Sequence, residues 1–280
     1  MKGGKGHQGK TIIVYFYKPK VFTPRSKILI VVPGSGRNAN DYRDAWIEPA
    51  EAYSWLVLSP SYAESDYDFA AYQMCGVIQN LRFPTGIDPD EAVVTLRDED
   101  IDFEPNLHRE EWLFNDFDRL FSDVVAATNS EQTSYDVFGH SAGGQILHRL
   151  ALFQRESKAR RIIACNSGFY TLPDFSVAQP FGLKGTAVTE ADLQASFQKE
   201  LIIGLGALDS SNEAGGIQLH TPLADAQGLS RMDRGRYFFE FSRRKAEEIN
   251  ATFNWRLQIV EDVGHDYRGM SKSLVEQIRR

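Results

Sequence analysis

Short apolar runs, separated by turns and by longer stretches of helical spacing, recur along the chain from Thr11 onward. Strands joined by crossover helices produce this alternation. The runs that read as strands are Thr11 to Tyr17, Ile28 to Val32, Trp55 to Leu58, Tyr135 to Phe138, Ile162 to Cys165, Leu201 to Leu208 and Trp255 to Val260. Ile28-Leu29-Ile30-Val31-Val32 has no polar member, so both its faces need cover, which predicts a central strand of a mostly parallel sheet flanked by helices. Trp255, Leu257 and Ile259 alternate with Arg256 and Gln258, so this last strand has one wet face and belongs near an edge.

Leu113, Phe117, Leu120, Phe121, Val124 and Val125 share one helical face, while Asp116, Asp118, Arg119 and Asp123 take the other, the pattern of an amphipathic crossover helix. Two stretches break the rhythm, 61–106 with Pro84, Pro89 and Pro105, and 166–199 with Pro173 and Pro180. They are expected as excursions over the carboxyl ends of the strands, where connecting loops build binding sites. The polar start, Met1 to Lys10, is expected to fray. The whole of 1–280 reads as a single α/β domain.

Composition narrows the function classes. With 42% hydrophobic and 25% charged residues, the chain is neither disordered nor collagen-like nor a disulfide scaffold. Its net charge of −7 argues against a general binder of phosphate backbones, so no nucleic-acid partner is expected. Cys75 and Cys165 belong to no Cys/His set and read as buried small hydrophobes rather than a disulfide or zinc site. No apolar run reaches the roughly 18 residues of a membrane span and no export signal is visible, so the expectation is a soluble, cytoplasmic protein. Asp98-Glu99-Asp100-Ile101-Asp102 lacks the glycine-centred spacing of a calcium loop and reads as a solvated turn; neither metal nor cofactor is expected.

The chemistry concentrates at Gly139-His140-Ser141-Ala142-Gly143, a G-x-S-x-G pattern between a strand run and a helical run. In that context the serine sits on a sharp turn, the glycines admit the close approach of strand and helix, and the helix amino end offers the Ala142 N–H to an oxyanion. A serine hydroxyl needs a base and an orienting acid, in the chain order Ser, acid, His. Of six histidines only His220 and His265 follow Ser141 usefully, and His265, directly after the last strand, has the position of the base. Asp209 closes the Leu201 to Leu208 run at the same end of the sheet and is the expected acid, with Asp225, Asp233 and Asp262 as competitors. The second oxyanion donor is expected from Pro33-Gly34-Ser35-Gly36-Arg37-Asn38, at Ser35 with Gly34 as alternative, before a helix capped near Asn40 or Asp41. Most of the excursion aromatics, Tyr62, Tyr67, Phe69 and Tyr72 among them, are expected to pack; Phe169 and Tyr170 are kept as substrate-pocket candidates with Gly34 and His140.

With these residues assembled, the chain resembles the α/β-hydrolase superfamily and, more narrowly, the polyhydroxybutyrate depolymerase-like esterases. The narrower resemblance rests on Pro33-Gly34-Ser35-Gly36-Arg37-Asn38, Gly139-His140-Ser141-Ala142-Gly143-Gly144, Gly206-Ala207-Leu208-Asp209, Ala226-Gln227-Gly228 and Val263-Gly264-His265-Asp266. Pro33-Gly34 stands where related proteins often carry His-Gly. The resemblance implies hydrolysis of a small or oligomeric ester without a cofactor, and a soluble substrate rather than a solid polymer. A peptidase or acyltransferase on the same residues is the second reading, and a non-catalytic binding protein that keeps the fold is the third.

Overall fold

The computed structural model of the chain describes residues 1–82, 84, 93–210, 215 and 218–279. In chain order its strands are β1 (Ile13–Tyr17), β2 (Ile28–Val32), β3 (Leu56–Ser61), β4 (Ile78–Arg82), β5 (Val93–Thr95), β6 (Asp102–Pro105), β7 (Tyr135–His140), β8 (Ala159–Cys165), β9 (Glu200–Gly206), β10 (Gln218–His220) and β11 (Arg256–Val260). The helices are α1 (Ala39–Asp44), α2 (Ile47–Tyr53), α3 (Phe114–Thr128), α4 (Ala142–Phe153), α5 (Glu190–Phe197), α6 (Pro222–Asp225), α7 (Arg231–Glu248) and α8 (Tyr267–Arg279). Seven strands form one sheet in the order β1-β3-β2-β7-β8-β9-β11. Every pairing is parallel except β1 with β3. This is the α/β-hydrolase arrangement, and its seven strands are the seven apolar runs of the sequence.

The all-apolar β2 is buried throughout, and its alternation splits it between two cores. Ile28, Ile30 and Val32 face the core that holds Phe117, Leu120 and Phe121 of α3, Ile146 and Leu150 of α4, and Phe238 of α7. Leu29 and Val31 face the opposite core, with Tyr42 of α1, Ala50 of α2, and Met270 and Leu274 of α8. Period-two side chains sandwiched between helices are what a doubly covered parallel strand requires. β11 lies at the sheet edge, as its alternation predicts.

Three expectations are corrected. Asp116 is 2% exposed rather than on the wet face of α3, because Gly4 and Arg119 cover it. Burial raises its carboxyl pKa to about 6, against the opposing pull of Arg119. The chain start does not fray: the Met1 amino group donates to the Ile12 carbonyl at 2.8 Å, Lys10 pairs with Asp66, and Arg119 donates to the Lys2 carbonyl. Helix α1 begins one residue after Asn38, earlier than the expected Asn40 or Asp41 cap.

The first excursion is tied to the loop after β2. Tyr72 donates its hydroxyl proton to the Pro33 carbonyl at 2.7 Å. Arg37 reaches the Tyr62 and Tyr67 carbonyls, and its guanidinium lies 4.1 Å from the centre of the Tyr72 ring. Tyr62, Tyr67 and Tyr72 are buried by this packing, as expected of them. Two short ribbons, antiparallel β4–β6 and parallel β5–β10, add to the excursions; Pro89 lies outside the described residues. Among the described residues no helix is long and apolar enough to cross a membrane.

Candidate active site

Ser141 joins β7 to α4 with φ 59° and ψ −118°. A non-glycine residue holds such a backbone only where its surroundings compel it. Here close packing compels it: a Cβ on Gly139 would stand 2.5 Å from the Gly143 carbonyl oxygen, and one on Gly143 would overlap the Val32 carbonyl. Strand and helix meet this closely because both positions lack side chains. Every residue of α4 is buried, so the helix behind the serine is a fixed support. Its amino end directs free N–H groups and the positive end of its dipole toward the serine turn.

His265 Nε2 lies 3.0 Å from Ser141 Oγ, and His265 Nδ1 lies 2.7 Å from Asp209 Oδ2. A carboxylate only accepts, so Nδ1 carries the proton and Nε2 presents its lone pair to the serine hydroxyl. Local turns bring the two partners together. The Asp209 N–H bonds the Gly206 carbonyl directly after β9, and the Leu208 N–H bonds the Val263 carbonyl in the loop after β11. The side chains of His265 and Asp209 are 6% and 1% exposed, so their contact is shielded from water.

Two further partners had no signal in the sequence. Arg231, the first residue of α7, donates from Nη1 to Asp209 Oδ1 at 3.0 Å, with both side chains buried. Asn166, after β8, holds three pieces of the site: Oδ1 accepts from the Gly206 N–H at 2.9 Å, and Nδ2 faces the Gly264 carbonyl at 3.1 Å and His140 Nε2 at 3.2 Å. The competing residues have other partners. His220 Nδ1 lies 2.8 Å from Asp225, which also pairs with Arg234; Asp233 accepts from the Ser230 hydroxyl; Asp262 is exposed.

Of the expected pocket residues, Gly34 lies beside Ser141, where a Cβ would come within 3.3 Å of the serine Cβ. The other three are interior. His140 is buried between Tyr42, Asn166 and the His265 ring, whose centroid is 4.5 Å away. Burial, with smaller contributions from His265 and Arg231, holds its pKa well below the ordinary imidazole range, so it stays neutral. Phe169 packs edge-on to Phe181 and Tyr170 stacks on Phe238, both buried, so they fill the interior instead of lining an open face. On the loop after β2, Ser35 is exposed, and a Cβ on Gly34 would stand 3.1 Å from the Tyr42 hydroxyl. Asp98 accepts from the Leu223 N–H and Asp100 pairs with Arg97, so the acidic stretch is spent on local structure. Cys75 and Cys165 are buried free thiols, and burial pushes Cys75 up to about 12.

The chain belongs to the α/β-hydrolase superfamily, in the neighbourhood of the polyhydroxybutyrate depolymerase-like esterases. It is 33% identical to poly(aspartic acid) hydrolase-1 from Sphingomonas sp. KT-1, covering 100% of both chains with a TM-score of 0.84. It is 28% identical to LpqC, a poly(3-hydroxybutyrate) depolymerase from Bordetella parapertussis, covering 97% of this chain and 90% of that one with a TM-score of 0.78. Siderophore hydrolase EstA from Aspergillus nidulans, at 11% identity and a TM-score of 0.53 over 99% of this chain and 91% of that one, shares the fold. No protein-family model matches the chain, and no curated protein matches it. The neighbours are hydrolases, and this chain is placed among them.

Proposed function

We propose that the protein is a serine hydrolase that cleaves carboxylic esters through an acyl-enzyme intermediate. The observation that carries this reading is the continuous path from Ser141 Oγ through His265 to Asp209, at 3.0 and 2.7 Å, on a serine held at positive φ. His265 takes the serine proton as Oγ attacks the carbonyl carbon, then returns it to the leaving alcohol as the acyl-enzyme forms. Water, deprotonated by the same imidazole, releases the acid and restores the serine. Asp209 keeps the proton on Nδ1 and stabilises the imidazolium. The Ala142 N–H at the start of α4 is one oxyanion donor; the second comes from the backbone N–H of Ser35, on the loop after β2 beside Ser141.

Amide hydrolysis in an acidic polyamide is the second reading, favoured by the name of the 33% identical neighbour, a poly(aspartic acid) hydrolase. The net charge of −7 weighs against it, because a polyanion meets long-range repulsion that only a local basic surface offsets. A panel of p-nitrophenyl esters of rising acyl length, run beside aminoacyl anilides and poly(aspartic acid), separates the two. Ester turnover with a burst of one p-nitrophenol per protein supports the first reading. Turnover confined to the amides replaces it with the second.

A further inference from the structure

We propose that Arg231 is a positioning residue for the Ser141–His265–Asp209 set, fixing the Asp209 carboxylate and, through it, the orientation of the His265 imidazole. The inference rests on the serine-hydrolase reading of the same site. Arg231 opens α7 directly after its cap Ser230 and is buried, so its cation stands at the positive end of the helix dipole, an unfavourable place for it. Asp209 offsets that cost. The carboxylate divides its oxygens, Oδ1 to Arg231 at 3.0 Å and Oδ2 to His265 at 2.7 Å, so it has no freedom to rotate away from the imidazole.

The other prong of the guanidinium, Nη2, donates to the Gly215 carbonyl. Gly215 has φ +145°, and its backbone lies against the histidine: a Cβ there would stand 3.3 Å from His265 Cβ and 3.6 Å from Cδ2. One planar fork therefore fixes both the acid and the backbone that packs on the base, a geometry that guanidinium supplies and ammonium does not.

His140 lies 4.5 Å from His265 ring to ring, and Asp266 turns its carboxylate to the Arg268 and Gly269 amides at the start of α8. The imidazole takes its orientation from Asp209, and removing the Arg231 fork frees that carboxylate to turn away from Nδ1. A residue that merely braced the loop would lower stability without a loss confined to kcat.

The test is kcat and KM for wild type, Arg231→Gln and Arg231→Lys on a p-nitrophenyl ester, with fluorophosphonate labelling of each protein. Arg231→Gln is expected to lower kcat by about 10- to 100-fold with KM little changed, because the reacting groups lose their alignment. Arg231→Lys is expected to recover only part of kcat, because one ammonium does not span both acceptors. If Arg231→Gln strands the buried carboxylate and fails to fold, Asp209→Asn is compared with Asp209→Asn/Arg231→Gln. Action through Asp209 predicts that the second change costs less than about twofold in turnover, as coupled neighbours do. A kcat within twofold of wild type in Arg231→Gln, or a large added loss in the double variant, overturns the role of Arg231. Absence of Ser141 labelling in the wild type overturns the serine-hydrolase reading and this inference with it.

Discussion

Asn166 Nδ2 lies 3.2 Å from His140 Nε2, and since an amide nitrogen only donates, His140 receives that bond and carries its own proton on Nδ1. The amide orientation is fixed by its other end, where Oδ1 accepts from the Gly206 N–H. One side chain thus joins the turn that bears Ser141, the end of the strand that leads to Asp209 and the loop that bears His265. Asn166→Ala leaves the Gly206 N–H and the Gly264 carbonyl without this partner, at about 1–3 kcal/mol per buried group. We expect a lower melting temperature and a kcat reduced by about 10- to 100-fold with KM little changed, because the reacting groups lose their alignment. Thermal unfolding and steady-state ester kinetics check this; kcat within twofold of wild type contradicts it.

Asp209→Asn tests the acid. The amide presents either a wrong donor or a weaker acceptor to Nδ1, and turnover is expected to fall by about 10³- to 10⁴-fold, as when a triad histidine is held in the wrong tautomer. Circular dichroism checks that the fold remains. Asp225→Asn, whose carboxylate serves His220 and Arg234, is expected to leave turnover within a few-fold of wild type. The reverse ranking of the two variants would move the acid to Asp225.

Stability depends on pH through buried groups whose directions oppose. Burial keeps His140 and His148 neutral in the folded protein, whereas in the unfolded chain they bind protons below about 6.5. The unfolded state then holds more protons, so stability present above about pH 6.5 is lost as pH falls. Asp116 acts the other way: with burial raising its folded pKa to about 6, above the ordinary carboxylate range, its contribution is present below about 4 and is lost as pH rises through 6. Urea midpoints are expected to fall between pH 7 and 5 in the wild type, and to fall more steeply in Asp116→Asn, which lacks the opposing group. Equal slopes in the two proteins contradict the assignment to Asp116.

The sheet was legible because each of its strands is an apolar run long enough to bury, and Ser141 because Gly139 and Gly143 mark the close approach of β7 and α4. Asp209 and His265 were legible from their place after strands that end at the same side of the sheet. The ribbons were not: β4 carries Gln79, Asn80 and Arg82, and β6 carries Asp102 and Glu104, so neither shows apolar periodicity. Arg231 was hidden for a different reason, since a cation in the first turn of a helix contradicts the usual charge preference and makes sense only once Asp209 is seen against it. Asn166, at φ 47°, reads in sequence as an ordinary turn residue, because asparagine tolerates that backbone anywhere. Phe169 and Tyr170 misled because aromatic residues after a strand end fill an interior as readily as they line a pocket; here Phe181 and Phe238 complete the packing.

The proposed function stands on acylation of Ser141 with His265 as the base. The most direct measurement is intact-mass spectrometry after reaction with a fluorophosphonate, with the site mapped by peptide fragmentation, on wild type, Ser141→Ala, His265→Gln and His220→Gln. A single adduct on Ser141 is expected in the wild type, the same adduct at a comparable rate in His220→Gln, a strongly slowed one in His265→Gln, and none in Ser141→Ala. An adduct on another residue, or labelling of Ser141→Ala at the wild-type rate, would contradict it.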